Sequence, residues 1–244
     1  MFKPATLSRA MGIVGELLIT FGVIVLLFLA WQLWINNAVV AGQQQAASQE
    51  LVQEWADGKE KSDTADVVEE DFGAPPAFAG VGDAAKFATI YIPRLGADST
   101  RVVKNSVDLT TILNNGYYGR YPDSQWPGQA GNFALAVHRT NWGSPFGDAP
   151  KLEAGDKIYV ETSDGYYTYI FRNYEFVLPT AVDVLLPVPG TNDSPGDQSI
   201  LTITTCNPLL GDAERMIVYS VLDSWRPRSA GPPAEMAETQ KVDS

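Results

Sequence analysis

The sequence has very little cysteine and histidine: its 244 residues include one of each. A single cysteine excludes an internal disulfide. One cysteine and one histidine also cannot fill a zinc site that needs three or four protein ligands. We therefore expect neither a metal nor another cofactor, and any Cys–His chemistry must use Cys206 and His138.

Positive charge is also scarce, with 17 Lys and Arg against 29 Asp and Glu, a net charge of -12. No basic patch with interleaved aromatic residues is present, so nucleic acid is not an expected partner. The acid is unevenly spread. Between Gln43 and Asp83, ten acidic residues are opposed by only two lysines, and this stretch carries eight of the twelve net negative charges. Such a composition predicts a solvated stalk.

One long apolar run stands near the start of the chain. Residues 17–35 are almost wholly apolar, with Gln32 as the one strongly polar interruption. About 20 helical residues cross a hydrocarbon layer of about 30 Å. Trp31 and Trp34 fall at the far end of the run, where aromatic residues favour the membrane interface. We predict a transmembrane anchor that binds the lipid membrane.

The charges that flank this run predict its orientation. Lys3 and Arg9 precede it, and the next basic residue is Lys59. The positive-inside rule therefore places the N-terminus in the cytoplasm and the chain after about Asn36 outside. The alternative is a cleaved signal peptide, which small residues at 38–41 would permit. The run is longer than the about 7–15 residues of a usual signal-peptide core, which favours the anchor.

Changes in composition divide the chain into five predicted parts. They are a cytoplasmic N-terminus (1–12), the anchor (13–35), an acidic stalk or linker with a short helix at 43–55 (36–85), a catalytic barrel (86–224) and a disordered, Pro-rich tail (225–244).

Within the fourth part, short runs of β-branched and aromatic residues alternate with turn signals. Strands are predicted at 87–92, 132–138, 157–161, 166–171, 200–205 and 216–222, with a short helix at 109–115 and a helical turn at 150–155. Ser163-Asp164-Gly165 is a hairpin signal between two of these strands. Many short strands with few helices predict an all-β barrel or sandwich.

Three chemically useful side chains stand at predicted strand ends. Cys206 closes a strand because Pro208 cannot continue a central one. Arg215 begins the next strand, so pairing of the two strands would return its guanidinium to the thiol, where it could hold an oxyanion. His138 also ends a strand. A nucleophile, an acid/base and an electrophile are thereby available at strand ends.

Each of these residues also has an ordinary structural explanation. A lone cysteine is usually a small buried hydrophobe, a lone histidine a satisfied structural residue, and a lone arginine a solvated cation. The motifs around them decide between the two interpretations.

The motifs resemble those of the sortase family. Residues 202–206 read T-I-T-T-C, close to the family's T-L-x-T-C, and Arg215 follows. Residues 127–140 read P-G-Q-A-G-N-F-A-L-A-V-H-R-T, similar to the family's P-G-x-x-G-N-x-x-x-A-G-H-R, with Val137 in place of Gly. Tyr121-Pro122 and the W-G-S-P-F of residues 142–146 are most similar to actinobacterial class E members.

This resemblance, which covers about residues 87–222, implies an eight-stranded sortase barrel and a cysteine transpeptidase. Such an enzyme cleaves a C-terminal LPxTG or LAxTG signal of secreted surface proteins between Thr and Gly through a thioacyl intermediate. An amine of a peptidoglycan precursor, or a pilin Lys, then accepts the acyl group. The resemblance assigns Cys206 as nucleophile, His138 as acid/base and Arg215 as oxyanion donor, with Tyr121 and Thr205 as substrate contacts.

Two alternatives to this function remain open. A pilin-polymerising sortase often carries a lid with an Asp-Pro-aromatic motif, and Asp71-Phe72-Gly73 does not match it. A non-enzymatic, membrane-tethered β-module with an inert Cys206 is the alternative from another class. An L,D-transpeptidase is disfavoured, since its S-x-G-C-I-R-like segment is absent. Arg139, beside His138, competes with Arg215 as electrophile. Strand alternation predicts that the side chain of Arg139 points away from the site.

Overall fold

The computed structural model describes residues 4–31, 35–57, 71–96 and 99–236. Two helices come first, α1 (Pro4–Ala30) and α2 (Asn36–Asp57). Eight strands follow: β1 (Lys86–Tyr91), β2 (Arg101–Lys104), β3 (Tyr118–Arg120), β4 (Gly131–Ala136), β5 (Lys157–Thr162), β6 (Gly165–Val177), β7 (Ser199–Asn207) and β8 (Glu214–Pro227).

The strands close into one barrel in the order β1-β2-β3-β4-β7-β8-β6-β5. The pairs β2–β3 and β4–β7 are parallel, and the other neighbours are antiparallel. Closure leaves no unpaired sheet edge. The predicted eight-stranded, all-β barrel is confirmed.

Strand alternation sorts the side chains of β4 and β7 into two sets. Phe133 and Leu135 of β4, with Leu201 and Ile203 of β7, lie in the hydrophobic core. The residues that alternate with these along each strand, among them Thr204, therefore face the outside of the barrel. We call the outward surface of β4, β7, β8 and β6 the outer face.

Helix α1 contains a stretch, Met11–Ala30, that is long and apolar enough to cross a membrane, and none of it is buried against the rest of the chain. The predicted anchor at 13–35 overlaps this stretch. Gln32 and Trp34 lie outside the described residues. The anchor and its orientation stay predictions.

The helix predicted at 43–55 lies within α2, but α2 packs on the barrel, so the predicted solvated stalk is wrong for residues 36–57. Gln44, Ser48 and Leu51 are buried along one side of the helix. The Ser48 hydroxyl lies 3.2 Å from Thr89 Oγ1 of β1. A spacing of four and three residues is one helical face, but two of its three residues are polar, so composition alone indicated solvent. Residues 58–70 of the predicted stalk lie outside the described residues.

The predicted disordered tail is also wrong as far as residue 236. Strand β8 continues to Pro227 and pairs with β6. Beyond it, Arg228 makes a buried salt bridge of 2.9 Å with Glu161, and Met236 is buried. Glu235 accepts hydrogen bonds from Lys157 and Tyr159 of β5, each at 2.7 Å. These specific contacts hold a Pro-rich segment whose composition resembles a linker.

Candidate active site

Cys206 lies on the outer face, one residue before the end of β7. It is a free thiol of intermediate exposure. Its cross-strand partner is Arg215 of β8, as the sequence predicts. Directly opposed residues of an antiparallel pair share a face and have Cα atoms about 5 Å apart. Both side chains are thus outward, at one end of the barrel.

A cleft of about 410 Å³ brings Cys206 and His138 together. It is lined by His138, Arg139, Thr140, Asn141, Trp142, Cys206, Leu210, Gly211 and Asp212. The cleft lies between the chain that follows β4 and the connection from β7 to β8. The two predicted catalytic residues therefore share one solvent-accessible space.

The imidazole of His138 is held by an asparagine. His138 Nε2 lies 2.9 Å from Oδ1 of Asn114, which belongs to the 3-10 turn Leu113–Asn115. An amide oxygen only accepts hydrogen bonds, so this contact is a hydrogen bond when Nε2 carries the proton. Burial lowers the pKa of His138 from its ordinary 6.5, because a partly buried ring disfavours the charged form. The neutral ring can therefore act as a base at neutral pH.

Arg215 is anchored at the end of β8. Its Nη1 donates to the carbonyl oxygens of Asp212, at 2.8 Å, and Glu214, at 2.9 Å. These bonds tie the guanidinium to the β7–β8 connection. Arg215 opposes Cys206 across the strand pair, but it is not among the residues that line the 410 Å³ cleft.

The prediction that Arg139 points away from the site is wrong. Its guanidinium Nη1 donates to the Cys206 carbonyl oxygen at 3.4 Å and also to Asn207 Oδ1. Arg139 is 7% exposed and lines the cleft. Strand β4 ends at Ala136, so the alternation of a strand no longer applies at residue 139. Arg139 therefore holds the backbone at Cys206 in place through these hydrogen bonds.

The loop 141–144 forms the rim of the cleft in an uncommon conformation. Asn141, Trp142, Gly143 and Ser144 all have positive φ, at 62°, 49°, 86° and 45°. The left-handed region costs non-glycine residues about 1–3 kcal/mol each unless the surroundings enforce it. Here buried Arg101 donates through Nη2 to the Gly143 carbonyl oxygen at 3.0 Å, which is one such constraint.

Tyr121 lies beside the nucleophile strand. Its hydroxyl is 2.9 Å from Oγ1 of Thr204, an outer-face residue two positions before Cys206. The predicted substrate contact for Tyr121 stays a prediction that this placement favours.

The structure contradicts the predicted substrate contact for Thr205. Its side chain is 2% exposed, and its hydroxyl donates to the Val137 carbonyl oxygen at 2.8 Å. Alternation turns Thr205 away from the outer face, and the bond fixes the backbone just before His138. Val137, which replaces the family's Gly, packs in the core.

A second cavity, of about 530 Å³, lies on the same outer face beneath the connection from β6 to β7. Val177 of β6, Val188 of the connection, Ile200 of β7, and Tyr219 and Val221 of β8 contribute to its lining. Asn132 of β4 holds the connection in place, since its Nδ2 donates to the carbonyl oxygens of Val184 and Leu186, both at 3.0 Å.

Sequence reasoning missed Asn114 and Thr204, and it misplaced the side chain of Arg139. Asn114 lies 24 residues before His138 in a segment of ordinary turn composition, and nothing in its neighbours indicates an imidazole partner. Thr204 could have been found by counting alternate residues back from Cys206.

Comparisons with known proteins agree with this geometry. A family described as the sortase domain matches residues 90–223. Sortase SrtE1 of Streptomyces coelicolor is 35% identical over 238 residues, which cover 95% of this chain and 62% of that protein. This chain therefore spans less than two thirds of that relative. Sortase SrtE2 of the same organism is 28% identical over 244 residues, with 97% and 85% covered.

Solved structures give the same family. Sortase E from Streptomyces avermitilis has 36% identity and a TM-score of 0.57, covering 64% of this chain and 99% of that chain. Sortase E1 from Streptomyces coelicolor, solved with a tripeptide in its active site, has 34% identity and a TM-score of 0.57, with 63% and 97% covered. A sortase from Actinomyces oris has 29% identity and a TM-score of 0.64, with 68% and 94% covered.

Proposed function

The chain belongs to the sortase family, and on this premise we propose that it is a membrane-held cysteine transpeptidase. It cleaves an LPxTG- or LAxTG-like signal at the C-terminus of secreted proteins, between Thr and Gly. It then transfers the protein to a cell-wall amine. The observation that carries this proposal is that the only cysteine and the only histidine of the sequence line one cleft.

The proposed reaction has two halves with Cys206 as nucleophile. His138 takes the thiol proton of Cys206, the thiolate attacks the Thr carbonyl, and the C–N bond to Gly breaks as His138 gives that proton to the leaving amine. A thioester then joins Cys206 to the Thr. In the second half an amine attacks the thioester and gives its proton to His138, and His138 passes this proton to the sulfur as the C–S bond breaks, which restores the thiol and the neutral ring. Arg215 stabilises the oxyanion in both halves.

The 530 Å³ cavity supports a binding site for the first residue of the signal. Tyr219, which lines it, pairs with Thr202, four residues before Cys206. Four strand residues span about 13 Å, and the first residue of an LPxTG signal lies three residues before its Thr, about 10 Å in an extended chain. A peptide whose Thr carbonyl lies at Cys206 would therefore bring its first, apolar residue to this cavity along the outer face. Tyr121 and Thr204 flank that path.

Helix α1 supports a position at the membrane, with the barrel outside the cell as the flanking charges indicate. Asn37, two residues after Ile35, accepts a hydrogen bond from Gly143 N in the rim of the cleft. At about 3.5 Å per residue, this contact keeps the cleft close to the end of the membrane-spanning run. Substrates held at the membrane surface would then meet the cleft directly.

The test uses the full chain in detergent or nanodiscs with a panel of LPxTG and LAxTG peptides, each with and without triglycine. Cleavage after Thr, with a Thr–Gly₃ product when triglycine is present, supports the proposal. A peptide bearing the Lys of a pilin, added to the panel as acceptor, identifies a polymerising enzyme. Absence of cleavage with every peptide, in protein whose Cys206 reacts slowly with a thiol reagent, favours the non-enzymatic module.

A further inference from the structure

Helix α2 contacts both the turn that carries Asn114 and the rim loop 141–144. Gln44, buried on α2, donates from Nε2 to the carbonyl oxygen of Asn115 at 2.7 Å. Asn115 is the last residue of the 3-10 turn that contains Asn114, the partner of His138. Two turns of α2 earlier, Asn37 Oδ1 accepts the bond from Gly143 N at 3.1 Å.

Two glycines allow α2 to approach these loops closely. A Cβ atom at Gly116 would lie 2.9 Å from Cγ1 of Val40 and 2.7 Å from the Trp142 carbonyl oxygen. A Cβ atom at Gly143 would lie 3.1 Å from the same Val40 atom. Gly116, at φ 78°, also ends the turn that carries Asn114. The side chain of Val40 thus packs where the two loops meet.

The rim loop needs such support. Its four successive left-handed residues, 141–144, hold their conformation only while external contacts enforce it. One of those contacts, the bond to Gly143 N, comes from α2. A helix that left the barrel would release this bond and the one to Asn115 together.

We propose that α2 is a positioning element of the active site, which orients His138 through Gln44, the Leu113–Asn115 turn and Asn114. The barrel is then fully active only with the juxtamembrane helix docked on it. This inference rests on the proposed transpeptidase function and concerns the same cleft. It gives a helix of stalk-like composition a part in catalysis.

The test compares Gln44→Met with Gln43→Met in the full chain in nanodiscs. Methionine keeps the length and helix propensity of glutamine but cannot donate, and Gln43 is an exposed neighbour on the same helix. We expect Gln44→Met to lower kcat for peptide cleavage on the order of 10-fold, with KM nearly unchanged, because a misplaced catalytic group slows the chemical step. Gln43→Met should match the wild type in both constants.

A double-mutant cycle separates positioning from loss of stability. If Gln44 acts through Asn114, the double variant Gln44→Met/Asn114→Ala should be no slower than Asn114→Ala alone. Thermal unfolding checks that each variant is folded at the assay temperature. Should Gln44→Met unfold, Asn37→Leu tests the docking of α2 through its other contact and should lower kcat, and Asn37→Asp, which keeps the acceptor, should recover most of the activity.

Three outcomes would overturn the inference. They are equal kcat for Gln44→Met and Gln43→Met, full additivity with Asn114→Ala, and a fall in kcat that follows only the fraction unfolded. An inactive wild type would instead overturn the proposed function, so the two failures can be told apart.

Discussion

At the residue scale, His138 differs from an ordinary surface histidine in two ways. Its ring is partly buried, which lowers its pKa, and an amide rather than a carboxylate holds Nε2. A neutral partner does not oppose the effect of burial, so the neutral ring dominates at neutral pH.

The acid limb of kcat/KM should lie below pH 6.5, the ordinary pKa of histidine, since protonated His138 cannot accept a proton. Asn114→Asp should move this limb to higher pH, by about 1 unit or more, because a carboxylate at this distance favours the imidazolium. NMR titration of the one imidazole in the chain measures the same pKa without assignment. A limb that does not move in Asn114→Asp would show that residue 114 does not control the acid/base.

Two arginines lie near Cys206, and the structure places them differently. Arg139 is buried and holds the Cys206 carbonyl oxygen. Arg215 is more exposed and opposes Cys206 across the strand pair. Arg215→Lys should lower kcat by about 10²–10³ with little change in Tm, because lysine lacks the fixed fork of donors.

Arg139→Lys is the matched control for that substitution. We expect it mainly to lower Tm, since it breaks buried hydrogen bonds to Cys206 and Asn207. Steady-state kinetics and thermal unfolding of both variants decide the matter. If Arg139→Lys abolishes turnover at unchanged Tm while Arg215→Lys is nearly silent, Arg139 is the electrophile.

Cys206 and His138 could be singled out from sequence because each is the only one of its kind, within a motif, and the structure places both in one cleft. Their catalytic roles stay predictions. Thr205 was predicted wrongly, since a motif names neighbours without saying which faces the substrate. Asn114 could not be predicted from sequence, because the fold of the barrel, and not nearness in sequence, brings its turn close to His138.

At the element scale, the β6–β7 connection covers a cavity on the outer face. Val188 lines that cavity, whereas Val182 on the same connection is 70% exposed and does not. Val188→Trp should fill the cavity and raise KM for the peptide about 10-fold with little change in kcat, because binding of the first residue is lost before chemistry. Val182→Trp controls for a bulky residue on the connection. Equal KM values for the two variants would place the peptide elsewhere.

The elements that sequence predicts well are the long, regular strands. β1, β4, β5, β6, β7 and β8 all overlap predicted strands, because each carries apolar, β-branched or aromatic residues over several positions. β2 and β3, with four and three residues, are too short to establish a period and were missed. A helix at 43–55 is predicted from sequence, but its packing on the barrel is not, because its buried face uses Gln44 and Ser48, whose contribution depends on partners across the fold.

At the scale of the whole molecule, segments at both ends of the barrel sequence pack on it. Before β1, Phe78 lies in the core cluster and its ring is 5.1 Å from that of Trp126. After β8, Arg228 packs over Trp55 of α2 with 5.1 Å from Cζ to the ring centroid. The helix that follows the membrane span is thus held by the barrel and by the segment after β8, which gives the barrel a fixed relation to α2.

External protease tests the proposed topology of this assembly. In whole cells with a permeable outer wall, the protease should remove the part after about Asn36 and leave the first residues protected, as the charge bias predicts. A tag at the N-terminus and antibodies against the barrel report the two parts separately. Protection of the barrel in intact cells, with digestion only after lysis, would contradict an extracytoplasmic site.

The most direct test of the central claim is detection of the acyl-enzyme on Cys206. Wild-type protein incubated with an LAxTG peptide and quenched in acid should show, by mass spectrometry, a mass increase equal to the peptide up to Thr, located on the fragment that contains Cys206. Cys206→Ala should show no adduct and no cleavage. Its circular dichroism and Tm should stay close to those of the wild type, because the partly exposed thiol makes few core contacts. Normal turnover by Cys206→Ala, or an adduct on another residue, would contradict the account.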